Sequence, residues 1–260
     1  MIIVDTHTHI YLEDFNSDID SAIQRAEKIG VKYFMLPNID STSIAQVKTM
    51  HQKFPEACLP MMGLHPCSVK ENFQEELKIA EDELFNTSEI KYYGVGECGL
   101  DYYWDKTFIP QQKEALHIHS NWAKDLNLPI ILHTRDSMDD GIALIKEEQN
   151  GKLKGIFHCF GGTIEQAQQI IDLGFLLGIG GVLTYKKSGL DVVLKNIDLK
   201  YLVMETDAPY LTPVPFRGKR NEPAYLEYIL TRLAEVKNCS KGEVAKITTE
   251  NAINLFGLKN

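Results

Sequence analysis

Four histidines and two carboxylates, spread between residues 7 and 207, follow short apolar runs in this chain. His7 and His9 follow the run 2–4, Glu97 the run 92–95, His133 the run 129–132, His158 the run 155–157 and Asp207 the run 201–204. Gathered in one place, four imidazoles and two carboxylates without a cation would pair poorly as donors and acceptors, at a cost of roughly several kcal/mol. The mixed nitrogen and oxygen set suits Zn, Mn, Fe or Ni, whereas an all-oxygen set would suit Mg or Ca. A carboxylate between two imidazole clusters can bridge two divalent ions. Such a pair clamps the attacking and departing oxygens of a phosphoryl centre.

Spacing decides which histidines can share an ion. In His7-x-His9, on a strand, residues i and i+2 point to the same face. His117-x-His119 has the same spacing but falls in 111–126, which has a helical pattern, where i and i+2 diverge by about 200°. That pair is expected to serve as helix surface or hydrogen-bonded packing, and His51 likewise. Cys98 and Cys159 neighbour Glu97 and His158, so on strands they point the other way and are expected in the core.

Eight apolar runs, 2–4, 31–36, 58–64, 92–95, 129–132, 155–157, 175–179 and 201–204, alternate with amphipathic stretches. One such stretch, 17–29, spaces Ile19, Ala22, Ile23 and Ala26 near the helical period. Helix-start signals stand at Ser17 or Asp18, Ser41, Ser137, Thr163 with Gln166, and Ser240 with Glu243. Gly30 and Gly174 stand where helices stop. Continuous rather than alternating apolar runs suit strands buried on both faces, hence a parallel sheet covered by helices. An open doubly wound sheet has similar local signals, but eight β–α units in one series favour a closed α/β (β/α)8 TIM barrel. The C-terminal strand ends of a barrel form its mouth, where active sites lie. The six chemical residues follow those ends.

The bulk properties set limits. The 260 residues are near the ~250 usual for one such barrel, so a single domain over 1–260 is expected. Hydrophobic residues at 44% and charged residues at 24% suit a globular core, and a net charge of −9 opposes a broad basic surface coating nucleic acid. No apolar run reaches the ~20 residues of a membrane span. The start has no secretion signal, and five cysteines (58, 67, 98, 159, 239) form no C-x-x-C pair. A soluble cytoplasmic protein with reduced thiols is expected, without a membrane or a stable protein partner.

The ordered motifs carry a resemblance. They are Asp5-Thr-His-Thr-His9, Gly63-Leu-His-Pro66, Gly96-Glu-Cys-Gly-Leu-Asp-Tyr-Tyr103, Pro129-Ile-Ile-Leu-His-Thr-Arg135, His158-Cys-Phe-Gly161, Glu205-Thr-Asp-Ala-Pro209 and Pro215-Phe-Arg-Gly-Lys-Arg-Asn-Glu-Pro223. As a set, over residues 3 to about 225, the chain resembles the TatD family of metal-dependent deoxyribonucleases among the amidohydrolase-like barrels. The resemblance implies one metal on His7, His9, Glu97 and Asp207, and another on Glu97, His133 and His158. It also implies removal of nucleotides from DNA 3′ ends, with divalent cations, often magnesium, so Zn, Mg, Mn, Fe and Ni all stand as candidates. The chain departs from the usual pattern at Tyr11, Cys67, Trp104 and Gly161, where acidic or amide, histidine, basic and serine residues respectively are common.

Other residues receive expected roles around these catalytic carboxylates, Asp207 and Glu97. Asp207 would be both ligand and proton acceptor for the attacking water. His65 and Arg135 would hold phosphate oxygens, with a hydrogen bond to the ligand set as the alternative for His65. Tyr102, Tyr103 and Trp104 would offer flat faces to a base at the end of a DNA strand, or pack into the rim. Asp101, Glu205 and Asp5 would orient ligating imidazoles. Lys186, Lys187, Arg217, Lys219 and Arg220 would place positive charge beside the mouth. Rival activities on the same site are hydrolysis of a small amide, lactone or phosphoester, and removal of misattached amino acids from transfer RNA. A non-catalytic binding module would more typically lack a ligand.

Overall fold

A computed structural model describes residues 1–86 and 90–259, and its parallel strands run in chain order. They are β1 Ile3–Asp5, β2 Val31–Pro37, β3 Cys58–Met61, β4 Val95–Asp101, β5 Ile130–Arg135, β6 Gly155–Phe157, β7 Leu176–Ile179 and β8 Leu202–Met204. Strands β1 to β3 form one ladder and β4 to β8 another. A Met62–Val95 bridge links β3 to β4, and the Thr6 N–H and hydroxyl both donate to Met204 O (3.0 Å each), joining β1 to β8. The ring closes as the expected TIM barrel.

Alternation along the strands divides the core. Val4, Met35, Met61, Ile131, Ile156 and Val203 fill the barrel interior, and their neighbours Ile3, Phe34, Leu36, Leu132, Phe157 and Leu202 pack outward under the helices. The helices are α1 Ile19–Ile29, α2 Ile44–Lys53, α3 Phe73–Phe85, α4 Ile109–Leu126, α5 Met138–Glu148, α6 Ile164–Asp172, α7 Leu190–Leu194, α8 Leu226–Lys237 and α9 Lys241–Phe256. Helix α1 buries Ala22, Ile23 and Ala26 and stops at Gly30 in a left-handed conformation (φ 103°). Helix α6 begins with the capping box read from Thr163 and Gln166. Ala252 and Phe256 of α9 join the interior cluster, so this last helix packs against the barrel filling opposite the functional end. Among the described residues, no helix is long and apolar enough to cross a membrane.

Several boundaries differ from the sequence expectation, among them the third strand, which ends at Met61 and not at 64. The fourth strand is Val95–Asp101, not 92–95, so Glu97 lies within it instead of beyond it. Glycines 96 and 99 interrupt the apolar run there, yet the backbone still pairs with β5, across a register shift between Val95 and Cys98. A Cβ at Gly99 would sit 2.1 Å from His133 O, so only glycine allows the two strands to approach. Helix α2 starts after Ser43, not Ser41, whose hydroxyl donates instead to Glu76 (2.9 Å).

Candidate metal centre

The interior alternation carries part of the site to the mouth. Two residues beyond Ile131, Ile156 and Val203 come His133, His158 and Glu205, on the same inward face. Asp207 lies two further on, in a left-handed conformation (φ 56°) that aspartate tolerates better than most residues. Its N–H donates to His7 O (2.9 Å), tying the β8 end to the β1 end.

All six residues named as ligands from the sequence meet around Glu97, and its two oxygens divide them. Glu97 Oε2 lies 3.1 Å from His7 Nε2 and 3.3 Å from His9 Nε2; these two nitrogens are 3.2 Å apart. Asp207 Oδ1 completes this cluster at 3.7 and 3.6 Å from the same nitrogens. Glu97 Oε1 lies 2.9 Å from His133 Nδ1 and 3.0 Å from His158 Nε2. The His7 and His158 rings stack at 3.8 Å, which sets the clusters side by side.

The first cluster has the dimensions of a coordination shell. Four ligands about 2.0–2.1 Å from one ion at tetrahedral angles are about 3.3 Å from each other. Even with its proton on Nε2, His7 has one hydrogen to offer to His9, Glu97 and Asp207 together. A cation satisfies all of them at once. The residues fit a divalent metal.

The far nitrogens fix the tautomers. His133 Nε2 donates to Asp101 Oδ2 (2.9 Å), leaving its inward nitrogen as a lone pair, whereas His158 Nδ1 makes no hydrogen bond among the described residues and lies 3.4 Å from Glu205 Oε1. His9 Nδ1 donates to Tyr11 Oη (2.8 Å), whose hydroxyl donates to Pro37 O (2.5 Å). The tyrosine thus does for His9 what Asp101 does for His133. His65 differs: its Nδ1 accepts from Cys67 N–H (3.1 Å), so Nε2 carries the proton, 3.4 Å from Glu97 Oε1. In this form His65 is a hydrogen-bond donor into the site.

Burial and mutual charge set the protonation states. Burial pushes the Glu97 carboxyl up, but His7, His65 and His158 outweigh it and hold it well below the usual carboxylate range. Burial and the neighbouring His158 hold His7 well below the usual imidazole value. For His158 and His133 burial favours the neutral ring; for His158 the charges of Glu97 and Glu205 prevail, and for His133 Asp101 and Glu97, so both are raised. Protons therefore compete for these two rings near neutral pH. The affinity for added Zn or Mn should rise with pH between about 6 and 8, by about tenfold per unit for each proton displaced. Competition titrations with a chromophoric chelator measure this; a constant affinity across that range would contradict it.

The clusters form the floor of a cavity of about 710 Å³, whose rim includes Trp104, Arg135 and Tyr210. Several rim expectations need correction. The Tyr102 hydroxyl donates to Asp140 Oδ2 (2.8 Å), and the ring lines a neighbouring groove, not the cavity. One face of Tyr103 is covered by the Arg135 guanidinium, 3.8 Å from the ring centroid. Asp5 orients no imidazole: it accepts from Thr206 N (2.9 Å) and the Thr206 hydroxyl (2.6 Å), holding the backbone before Asp207. Arg220 is consumed by Asp18 and lies over the Phe15 ring, and Arg217 lies over Tyr185, so neither is a loose surface charge. His117 pairs with Glu148 on the surface, and buried His119 accepts from Leu64 N–H (3.0 Å).

Two asparagines that the sequence analysis does not single out hold the site. Asn38 accepts the Glu97 N–H at its carbonyl (3.1 Å), donates its own N–H to Gly96 O (3.2 Å) and its amide to Gly63 O (3.0 Å). Both backbone bonds grip the single Gly96–Glu97 peptide, on the N-terminal side of Glu97. Asn221, fully buried, donates to Thr206 O (2.8 Å) and Tyr210 O (2.6 Å), on the other side of Thr206 from Asp5. Asn38 follows the second apolar run and Asn221 lies inside the last quoted motif, and neither amide's partners show in the local sequence.

Known proteins share this arrangement of the chain. The family model for TatD related DNase matches residues 4–257. YabD of Bacillus subtilis strain 168, an uncharacterized metal-dependent hydrolase, is 37% identical over 256 residues, 98% of this chain and 99% of YabD. The crystal structure of YjjV, a TatD homologue from Escherichia coli K12, superposes with a TM-score of 0.89 at 28% identity, over 99% of this chain and 98% of that one. The 3′-5′ ssDNA/RNA exonuclease TatD of Pectobacterium parmentieri strain WPP163 is 28% identical over 260 residues, 98% of this chain and 99% of that enzyme.

Proposed function

The chain belongs to the TatD-related DNase family, and on that premise we propose that it is a metal-dependent phosphodiesterase that removes nucleotides from the 3′ end of a DNA strand. The observation that carries this reading is the division of donors between the two Glu97 oxygens, at the floor of a cavity rimmed by an arginine. His7, His9, Asp207 and Glu97 Oε2 would hold one divalent ion, and His133, His158 and Glu97 Oε1 a second. When bound, such ions supply Lewis acidity to a phosphoryl oxygen and ionise water near neutral pH.

The protein's own groups do the rest. Asp207 offers Oδ1 to the first cluster, while Oδ2 makes no hydrogen bond among the described residues and is available to accept the proton of the attacking water. Water adds to phosphorus as the bond to the upstream sugar oxygen breaks, and that oxygen leaves with a proton. His65 Nε2–H and the Arg135 fork donate to the non-bridging oxygens as negative charge grows there. Asp101 keeps His133 from turning, and Glu205 places a carboxylate 3.4 Å from His158 Nδ1.

Incubation with a 3′-labelled single-stranded oligonucleotide tests the reading. Label should be released as mononucleotide with Mg, Mn or Zn, and release should stop with chelator. Intact oligonucleotide alongside cleavage of a p-nitrophenyl ester or a lactone would replace this reading with a small-molecule hydrolase.

A further inference from the structure

We propose that Trp104 is the stacking surface for the unpaired base at the end of the bound strand, a step that rests on the phosphodiesterase reading above. The indole is 68% exposed, yet it lines the cavity that also contains Asp207 and His133. Its backbone is not loose. Asp101 Oδ1 accepts from both Tyr103 N (3.0 Å) and Trp104 N (3.1 Å), while Asp101 Oδ2 holds His133 Nε2 (2.9 Å). One buried carboxylate thus holds the Trp104 backbone in register with the His133 imidazole.

The neighbours touch Trp104 without burying it and charge its surroundings. The Tyr103 and Trp104 rings stand edge to face at 4.9 Å, and the Arg135 guanidinium lies 3.8 Å from the first centroid and 5.3 Å from the second. Among the described residues that guanidinium has no hydrogen-bond or ion-pair partner, so its donors remain available to a phosphate. A flat exposed indole beside a held, unpaired guanidinium, at the rim of a metal-competent cavity, matches a nucleotide: base on the ring, phosphate on the fork. Stacking of this kind needs a base that has left its pair. The occupant is therefore a single strand or a frayed end, and base identity matters little.

The test compares oligonucleotides ending in a normal 3′ nucleotide or in an abasic one. In the wild-type enzyme the abasic end should raise KM about 5- to 150-fold. Trp104→Ala should bring that ratio close to 1, and Trp104→Phe should restore most of it. An unchanged ratio in Trp104→Ala, or equal damage on both substrates, would overturn the proposal. Tryptophan fluorescence separates this from failure of the nuclease reading, because the other tryptophan, Trp122, is only 6% exposed. A thymidine dinucleotide should quench the wild-type emission but not that of Trp104→Phe, whether or not the DNA is cut. Absence of quenching in the wild type would overturn the stacking site even if label release is observed.

Discussion

Glu97→Gln should yield a folded protein that retains less than one equivalent of divalent metal and turns over at least ~10³-fold more slowly. The amide keeps the shape of the side chain but has a single acceptor oxygen, so one of the two donor clusters must face an NH2 group. The charge is also lost, and with it the main influence that raises His158 and, after Asp101, sustains His133. Those imidazoles then become easier to deprotonate, but they face a centre without its shared anion. Losing several kcal/mol of electrostatic stabilisation at a phosphoryl centre corresponds to about a thousandfold in rate, at 1.36 kcal/mol per tenfold. Metal content by atomic emission after gel filtration, rate with the 3′-labelled oligonucleotide, and a thermal melt to verify folding make up the measurement. A variant that keeps two ions and near wild-type turnover would remove Glu97 from the centre of the site.

The gathering of the candidate ligands was legible from their places after the strands, but strand geometry accounts for only part of it. His133 and His158 keep the parity of Ile131 and Ile156, whereas His7 and His9 are out of step with interior Val4 and Glu97 lies past the β4 register shift. A residue that follows a buried strand at the right parity arrives at the barrel mouth facing inward, and histidines there have few structural reasons to gather. Parity correctly sent Cys98 outward into the core but not Cys159, which stands beyond β6 in a left-handed conformation (φ 49°) and lines the cavity. Closure of the barrel was legible as eight repeats, though it rests physically on few contacts, such as Thr6 to Met204. What escaped depends on partners far away in the chain. Asp5 holds Thr206, 201 residues on, and Arg220 holds Asp18, 202 residues back, so neither role leaves a local pattern. The β4 boundary was missed for a different reason. Its glycines look like a strand end, but they are present because the backbone of Gly96 and Gly99 passes too close to Ile131 and His133 for any side chain. Tyr102 and Tyr103 illustrate the limit for substrate contacts: three consecutive aromatics look equivalent in sequence, and only packing shows that one is bonded to Asp140 and another is covered by Arg135.

Asp207→Asn should reduce turnover about 10²- to 10⁴-fold while leaving more of the metal in place than Glu97→Gln does, and Asp207→Ala should abolish turnover. The distinction follows from position. Asp207 belongs to one cluster, where its Oδ1 is the most distant of the four donor atoms, whereas Glu97 serves both. Burial raises the Asp207 carboxyl to about 6, against the pull of His158 and His9, so it is poised as a proton acceptor near neutral pH. A bound cation can only lower that value. The base acts when deprotonated, so activity must rise with pH through its pKa, and the acid limb of the kcat profile should lie at or below pH 6. Asparagine accepts no proton, and with it that limb should disappear from the residual rate. Rate profiles from pH 4.5 to pH 8 at saturating metal, for wild type and variant, separate this from a ligand role alone. If Asp207→Asn lowers the rate but leaves the acid limb where it was, the proton goes elsewhere, and Asp207 only holds the ion.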